Sequence, residues 1–293
     1  MDLKERVVEI KGKIYRQMLD RGRLNIRLNT RAYIWGLKVF KYLPGYRAHG
    51  ELLEAFYIPM RYIDDLVDGD HDREIPVECR PDYVAGRILF VRDLRNPSDE
   101  ADYLMMHCFE QAHLAGEDLR EEVLDILGSL HFDAKRVGSR NIFTEAELQN
   151  YFYMLDIRGT VRAALKVFRE LPEKSPTLES LAVASRIYYN LRDFDEDLRV
   201  GYVNISAEDC ERYGIGASDL SRCHHNHAGV RQWFKDQAER GLELLAKHEA
   251  AQSSAGFRLV TRLALPLIYV RLAKKFFERV LREGNGDLQL SSR

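Results

Sequence analysis

Apolar residues recur at spacings of three and four through four long blocks of this 293-residue chain: LLEAFYIPMRYIDDLVD, ELQNYFYMLDIRGTVRAALKVF, LESLAVASRIYYNLRDFDEDL and VRQWFKDQAERGLELLAKH. That period is one face of an α-helix, and nothing competes with it, because no run of alternating β-branched residues is bounded by Asn-Gly or Asp-Gly turns. Breakers separate the blocks, at Pro44-Gly45, Gly69, Pro97, Pro172 with Pro176, Gly201, Gly214 with Gly216, and Ser253-Ser254. No internal repeat or low-complexity linker divides the chain. The pattern predicts an all-α fold over residues 1–293, one domain built as a bundle of about eight to ten helices. A polar tail follows from about residue 283 to residue 293.

Composition narrows the partners. A net charge of −2 with 31% charged residues gives no general reason to expect nucleic acid. One stretch departs from this balance: Lys11 to Arg31 holds Lys11, Lys13, Arg16, Arg21, Arg23, Arg27 and Arg31 against the single acid Asp20. Taken alone it reads as a solvated basic helix. The four cysteines (Cys79, Cys108, Cys210, Cys223) show no C-x-x-C spacing, so a reducing compartment is expected, and the charged N-terminus does not read as a signal peptide. The longest apolar run, Leu263 to Val270, falls far short of the roughly 20 residues that span a bilayer. The expectation is a cytoplasmic protein, with a peripheral membrane contact left open.

Two acidic segments raise the chemical question. In YIPMRYIDDLVDGD (Tyr57 to Asp70), Asp64, Asp65 and Asp68 crowd a helix end just before Gly69. The helix dipole disfavours acids there by a few tenths of a kcal/mol each, and Asp64 with Asp68 is a like-charge i,i+4 pair. RIYYNLRDFDEDLRVG (Arg186 to Gly201) repeats the arrangement with Asp193, Asp197 and Gly201. Each pair has an arginine close by, Arg61 and Arg192. Tyr57, Arg61, Asp64 and Asp68 are spaced by four, three and four, so they share a helical face. A single such pair reads as a surface acidic cap with local Arg pairing. Two of them read as facing carboxylates of a bundle-core Mg²⁺ site completed by phosphate oxygens, with the arginines forking onto a diphosphate.

These residues resemble the squalene/phytoene synthase family of head-to-head prenyl transferases. Tyr57-x-x-x-Arg61-x-x-Asp64-Asp65-x-x-Asp68 is similar to its first Asp-x-x-x-Asp motif, and Leu191-Arg192-Asp193-x-x-Glu196-Asp197 to its Leu-Arg-Asp-x-x-Glu-Asp. Aligning YFYMLDIRGTVRAAL on Gly159 brings Tyr153 to the family's catalytic tyrosine, and Thr30-Arg31-Ala32-Tyr33 loosely resembles its diphosphate-binding Ser-Lys-Ser-Phe segment. The resemblance runs from about residue 25 to residue 280. It implies an all-α isoprenoid synthase fold with a central cavity and prenyl diphosphate substrates. Mg²⁺ would be held by Asp64, Asp68, Asp193 and Asp197, with Asp64, Asp193 and Tyr153 catalytic. The diphosphate would be bound by Arg61, Arg192, Tyr57, Thr30 and Arg31. Tyr151, Phe152, Tyr153 and Tyr188 would line the pocket.

Departures from the family pattern are equally specific. Arg158 and Arg162 stand where the family has small residues, and they are expected to share one side of the central helix. Arg186 and Tyr189 replace a Gln and an Asn, Asn190 is displaced by one residue and expected to point elsewhere, and Tyr202-Val203-Asn204 replaces Arg-x-Tyr. The expected function is therefore head-to-head prenyl transfer in isoprenoid biosynthesis. Two alternatives stand beside it: a prenyltransferase or cyclase using one prenyl diphosphate with another acceptor, and a non-catalytic relative serving as a binding module. Cys223-His224-His225-Asn226-His227 reads as a polar loop rather than a metal site, and His107, His113 and His131 as structural. No G-x-S-x-G, P-loop or dinucleotide fingerprint occurs.

Overall fold

The computed structural model describes residues 3–20, 31, 34–71, 75–93, 95–220, 227–252, 254–265 and 269–283. Among them no strand occurs, so the all-α expectation is met. Thr30, residues 223–226 of the histidine-rich stretch, and residues 284–293 of the polar tail lie outside the described residues. The chain divides into two compact units, Met1–Lys135 and Arg136–Arg293.

The first unit carries α1 (Leu3–Asp20), α2 (34–39), α3 (Arg47–Asp68), α4 (Arg80–Asp93), α5 (Glu100–Ala115) and α6 (Arg120–Arg136), whose last residue opens the second unit. Helix α3 is its centre, packed mainly on α5 and also on α1 and α4. Leu52, Ile58, Ile63 and Leu66 on α3, with Leu104 and Met105 on α5, are fully buried, and each contributes about 1.5–3 kcal/mol. Polar staples fix the packing: buried Glu54 accepts from Lys11 and Tyr15 of α1, and Arg87 of α4 pairs with Asp99 and Asp102.

The second unit runs through α7 (Glu145–Phe152), a π-helix (Tyr153–Val161), α8 (Arg162–Val167), α9 (Glu179–Arg192), α10 (Phe194–Val200), α11 (Ala207–Tyr213), α12 (Ala228–Gln252), α13 (Leu259–Leu265) and α14 (Arg271–Glu283). Helix α12 lies against α9 and α14 around Phe194, Trp233, Phe234, Phe276 and Phe277. A capping box between Thr144 and Glu147 starts α7. Beyond Phe152 the helix widens, and the Arg162 N–H reaches back to Ile157 O, five residues earlier. Such wide turns are rare and change which residues stack on one face. A regular 3.6-residue repeat would pair Arg158 with Arg162. Here Arg158 is exposed and Arg162 half-buried.

Candidate active site

The first acidic segment sits at the end of α3 in the first unit. Arg61 NH1 lies 3.1 Å from Asp64 Oδ2 and its NH2 lies 2.5 Å from Asp65 Oδ1, as an i,i+3 and i,i+4 fork along one face. A second positive group, which the local spacing did not reveal, is Arg80 at the start of α4. Its NH1 donates to Val67 O at 2.6 Å and its Nε to Ile75 O at 3.1 Å. Arg80 thus satisfies a carbonyl at the negative end of the dipole. Gly69 ends the helix at φ +81°, and a Cβ there would come within 2.7 Å of the Arg80 guanidinium. Arg61 and Arg80 together answer how three acids are tolerated at this helix end.

Asp64 keeps 37% side-chain exposure, yet protein surrounds it on most sides. Desolvation pushes its carboxyl up to about 6; Arg61 opposes the shift, while Asp65, Asp133 and Asp70 add to it. Asp133 comes from α6, a contributor that no sequence spacing linked to Asp64. Burial works against the charge on Arg61, but Asp64 and Asp65 more than offset it and hold its pKa above the ordinary value. Asp68 and Tyr57 are half-buried on the same helix. Arg31 is exposed.

The second segment, in the second unit, differs from the expected continuous helix end. The chain breaks at Asp193 (φ −97°, ψ 8°), which closes α9 and precedes α10. Asp197 therefore lies in the first turn of a new helix, where the dipole favours an acid. The Asp197 N–H donates to Asp193 O at 2.8 Å. Arg192 clamps Asp193 through two bonds, Nε–Oδ1 at 2.7 Å and NH2–Oδ2 at 2.5 Å, while stacking 4.8 Å over Tyr189 and 5.3 Å over Tyr188.

Asp197 is held from the other side. Asn204 Nδ2 donates to its Oδ2 at 2.8 Å, and Arg136 NH2 donates to Asn204 Oδ1 at 2.8 Å. Asn204, one of the departures from the family pattern, is thus the side chain that orients an acid of the motif. Arg136 also covers the rings of Tyr151 and Tyr202. Desolvation, then the charge of Asp193, pushes the Asp197 carboxyl up to about 7 against the opposing effects of Arg136, Arg186 and Asn204. Gly201 closes α10 at φ +105°, where a Cβ would meet the Gly138 backbone at 2.6 Å.

Among the described residues no three His, Cys, Asp or Glu side chains are gathered as a ready-made metal cage. The donor chemistry nevertheless fits Mg²⁺, which takes one or two carboxylates and completes its shell with water and phosphate oxygens. Burial first, and then the charge of Asp193, disfavour the ionised Asp197 carboxylate, and a bound divalent cation would offset both.

A cavity of about 570 Å³ opens in the second unit between α7, the π-helix, α9 and α12. Phe152, Tyr153, Ile157, Ile187 and Trp233 supply its apolar surface. Tyr153 stands in its wall and is 49% exposed. Asn190, expected to point elsewhere, lines this space along with Asn204. Neither Arg158 nor Arg162 lines it; Arg186 and Arg240 do, and Arg186 grips Asp156 of the π-helix. Of the other expected pocket aromatics, Tyr151 is buried beneath Arg136 and Tyr188 packs on Phe276 and Tyr189.

The structure is similar to that of squalene synthase HpnC from Alicyclobacillus acidocaldarius, with a TM-score of 0.66 at 16% identity over 94% of this chain and 96% of that one. At that identity the likeness establishes the fold. No curated protein matches the sequence. The profile of the squalene/phytoene synthase family matches residues 42–292, a span that includes both acidic segments, Tyr153 and the whole cavity. The chain belongs to the squalene/phytoene synthase family.

Proposed function

We propose that the chain is a Mg²⁺-dependent prenyltransferase that joins allylic prenyl diphosphates head to head. The observation that carries this reading is the doubled acidic helix end, Asp64 with Asp68 and Asp193 with Asp197, each with an arginine bonded to one of its carboxylates, in a member of this family. Mg²⁺, when bound, neutralises the departing diphosphate. Asp64 and Asp68 in the first unit, and Asp193 and Asp197 in the second, would supply oxygen donors to Mg²⁺. Arg61 and Arg192, with Tyr57, Thr30 and Arg31, take the diphosphate oxygens. Arg61 is bonded to Asp64 and Asp65, and Arg192 to Asp193. An aspartate that turned to a bound cation would free its guanidinium for phosphate.

Ionisation leaves an allylic cation that must be kept from water. In this reading the cavity of the second unit does so, and Phe152, Tyr153 and Trp233 offer their ring faces to it. A second prenyl diphosphate traps the cation through its double bond, giving a cyclopropyl product, and Tyr153 moves the proton or steers the cation.

The Arg186–Asp156 pair favours a second reading, transfer from one prenyl diphosphate to an acceptor with polar groups. The pair sets a guanidinium and a carboxylate in the cavity wall, surroundings that suit an acceptor with polar groups better than a pure hydrocarbon chain. Incubation with C10, C15 and C20 diphosphates plus Mg²⁺, followed by product analysis, tests both. A cyclopropyl or linear head-to-head dimer supports the first reading. Consumption of one prenyl diphosphate only when an acceptor is added supports the second. No turnover with any substrate would leave a binding module.

A further inference from the structure

Helix α9 spans the length of the cavity in the second unit. Glu179, Val183, Arg186, Ile187, Asn190 and Leu191 all line it, and Asp193 of the second acidic segment closes the same helix. At a rise of about 1.5 Å per residue, Arg186 lies roughly 10 Å and Glu179 roughly 21 Å along the axis from Asp193. Helix α12 runs the other way. The Trp233 ring lies 5.8 Å from Phe194, just past Asp193, whereas His248 lies beside Thr177, just ahead of α9. Trp233 therefore marks the acidic end of the cavity, and Gln237 and Arg240 stand successively nearer its far end.

The lining changes character along this path. Between Asp193 and Arg186 it offers the apolar side chains of Leu191, Ile187 and Trp233, with Asn190 among them. At Arg186 it meets an ion pair, bonded to Asp156 of the π-helix at 2.9 Å and 2.6 Å. Beyond the pair, Val183 is followed by the polar Glu179, Gln237 and Arg240. An apolar tail pressed onto a guanidinium–carboxylate pair displaces its water and returns no hydrogen bond, so burial of the tail stops being favourable there. Arg186 stands where the family pattern has a neutral Gln, which makes this stop a feature of the present chain.

We propose that the Arg186–Asp156 pair ends the prenyl pocket, and that the allylic donor of this chain is a C10 diphosphate. Bonds of about 1.5 Å advance an extended carbon chain by about 1.25 Å each, so a prenyl chain reaches roughly 9 Å for C10, 14 Å for C15 and 19 Å for C20. Only the first fits within the roughly 10 Å before the pair. The inference rests on the metal and diphosphate assignment above, and it holds for either acceptor.

Calorimetry with Mg²⁺, using pyrophosphate and the unreactive S-thiolodiphosphates of C10, C15 and C20 chains, tests it. The charge of Arg186 is felt at Asp197, so each affinity is read as a ratio to that of pyrophosphate in the same protein. In the wild type, C10 should bind at least about tenfold tighter than pyrophosphate, and C15 and C20 no tighter than C10. Arg186→Leu with Asp156→Leu should bind C15 and C20 at least about tenfold tighter than C10. Val183 lines the cavity beyond Arg186, so Val183→Phe should leave the C10 ratio of the wild type unchanged and remove the C20 gain of the double variant. A wild-type affinity that climbs from C10 to C20, or shows no gain over pyrophosphate, would overturn the inference while leaving the diphosphate assignment standing, and it needs no variant to fold. A C10 ratio lowered by Val183→Phe alone would place the chain beyond the pair and overturn it as well. So would a double variant that still prefers C10, by assigning the length limit to another wall. No binding of any probe, pyrophosphate included, would overturn the assignment and the inference together.

Discussion

Arg186 of α9 grips Asp156 of the π-helix through two hydrogen bonds, Nε to Oδ2 at 2.9 Å and NH2 to Oδ1 at 2.6 Å. The same guanidinium lies 4.9 Å from the Phe152 ring, so one side chain ties the wide turn to the helix that carries the second acidic segment. The pair is about four-fifths buried and stands in the cavity wall.

That contact should be visible as a coupling energy. Asp156→Ala and Arg186→Ala should each destabilise the protein, while the double variant should cost less than their sum by about 1–2 kcal/mol. Chemical denaturation of the four proteins measures it, and additive effects would show that the pair contributes no net attraction. The double variant should also accept a longer or more apolar substrate in product analysis.

Asp64→Ala and Asp193→Ala should reduce turnover by at least a hundredfold while the far-ultraviolet circular dichroism stays near wild type, since each removes an oxygen donor rather than core volume. Retained activity in both variants would reject their assignment to the metal. Mg²⁺ with a prenyl diphosphate should stabilise the wild type by about 2.7 kcal/mol at a hundredfold excess over the dissociation constant. Neither variant should show that gain.

The pH dependence of the metal-free protein has a definite sign. The Asp64 carboxyl is pushed up to about 6 and the Asp197 carboxyl up to about 7, both above the roughly 3.9 of an unfolded aspartate. Between these values the folded chain holds protons that the unfolded chain releases. The contribution of the two groups to stability is therefore fully present below about pH 4 and is lost as the pH rises through about 6 and about 7. Thermal midpoints in chelator from pH 5 to 8 should fall with a component that Asp197→Asn removes. An unchanged slope in that variant would assign the effect to other groups. Apparent Mg²⁺ affinity should rise over the same window, because cation and proton compete for the carboxylates.

Gly201→Ala places a Cβ 2.6 Å from the Gly138 backbone at a φ of +105°, a conformation that costs a non-glycine residue about 1–3 kcal/mol. The Tyr202 and Gly201 N–H groups both bond to Asp197 O, so the strain falls on the turn that orients this acid. Lower thermal stability and a larger fractional loss of activity than of folded protein are expected. Activity that simply tracks folded fraction would separate the turn from the site.

Local sequence determined everything that depends on near neighbours. The three-and-four spacing of α3, α9 and α12 dictated an all-α chain, because burying one helical stripe requires that period. The Arg61–Asp64 and Arg192–Asp193 contacts were legible because their partners are three residues and one residue apart. Gly69 and Gly201 were legible as stops because a left-handed closing residue favours glycine. Only the tertiary structure decided the contacts made across long separations. Arg80 on the Val67 carbonyl, Arg136 through Asn204 to Asp197, and Arg186 on Asp156 join residues 13, 68 and 30 positions apart for the hydrogen bonds observed. The break at Asp193 and the widened turn from Tyr153 to Val161 belong to the same class. Each changes the direction of side chains beyond it, so a register read from regular helical spacing does not carry across it. Arg158 lies inside the widened turn, is exposed and is not among the cavity's lining residues, whereas Asn190, on regular α9 ahead of the break, lines the cavity.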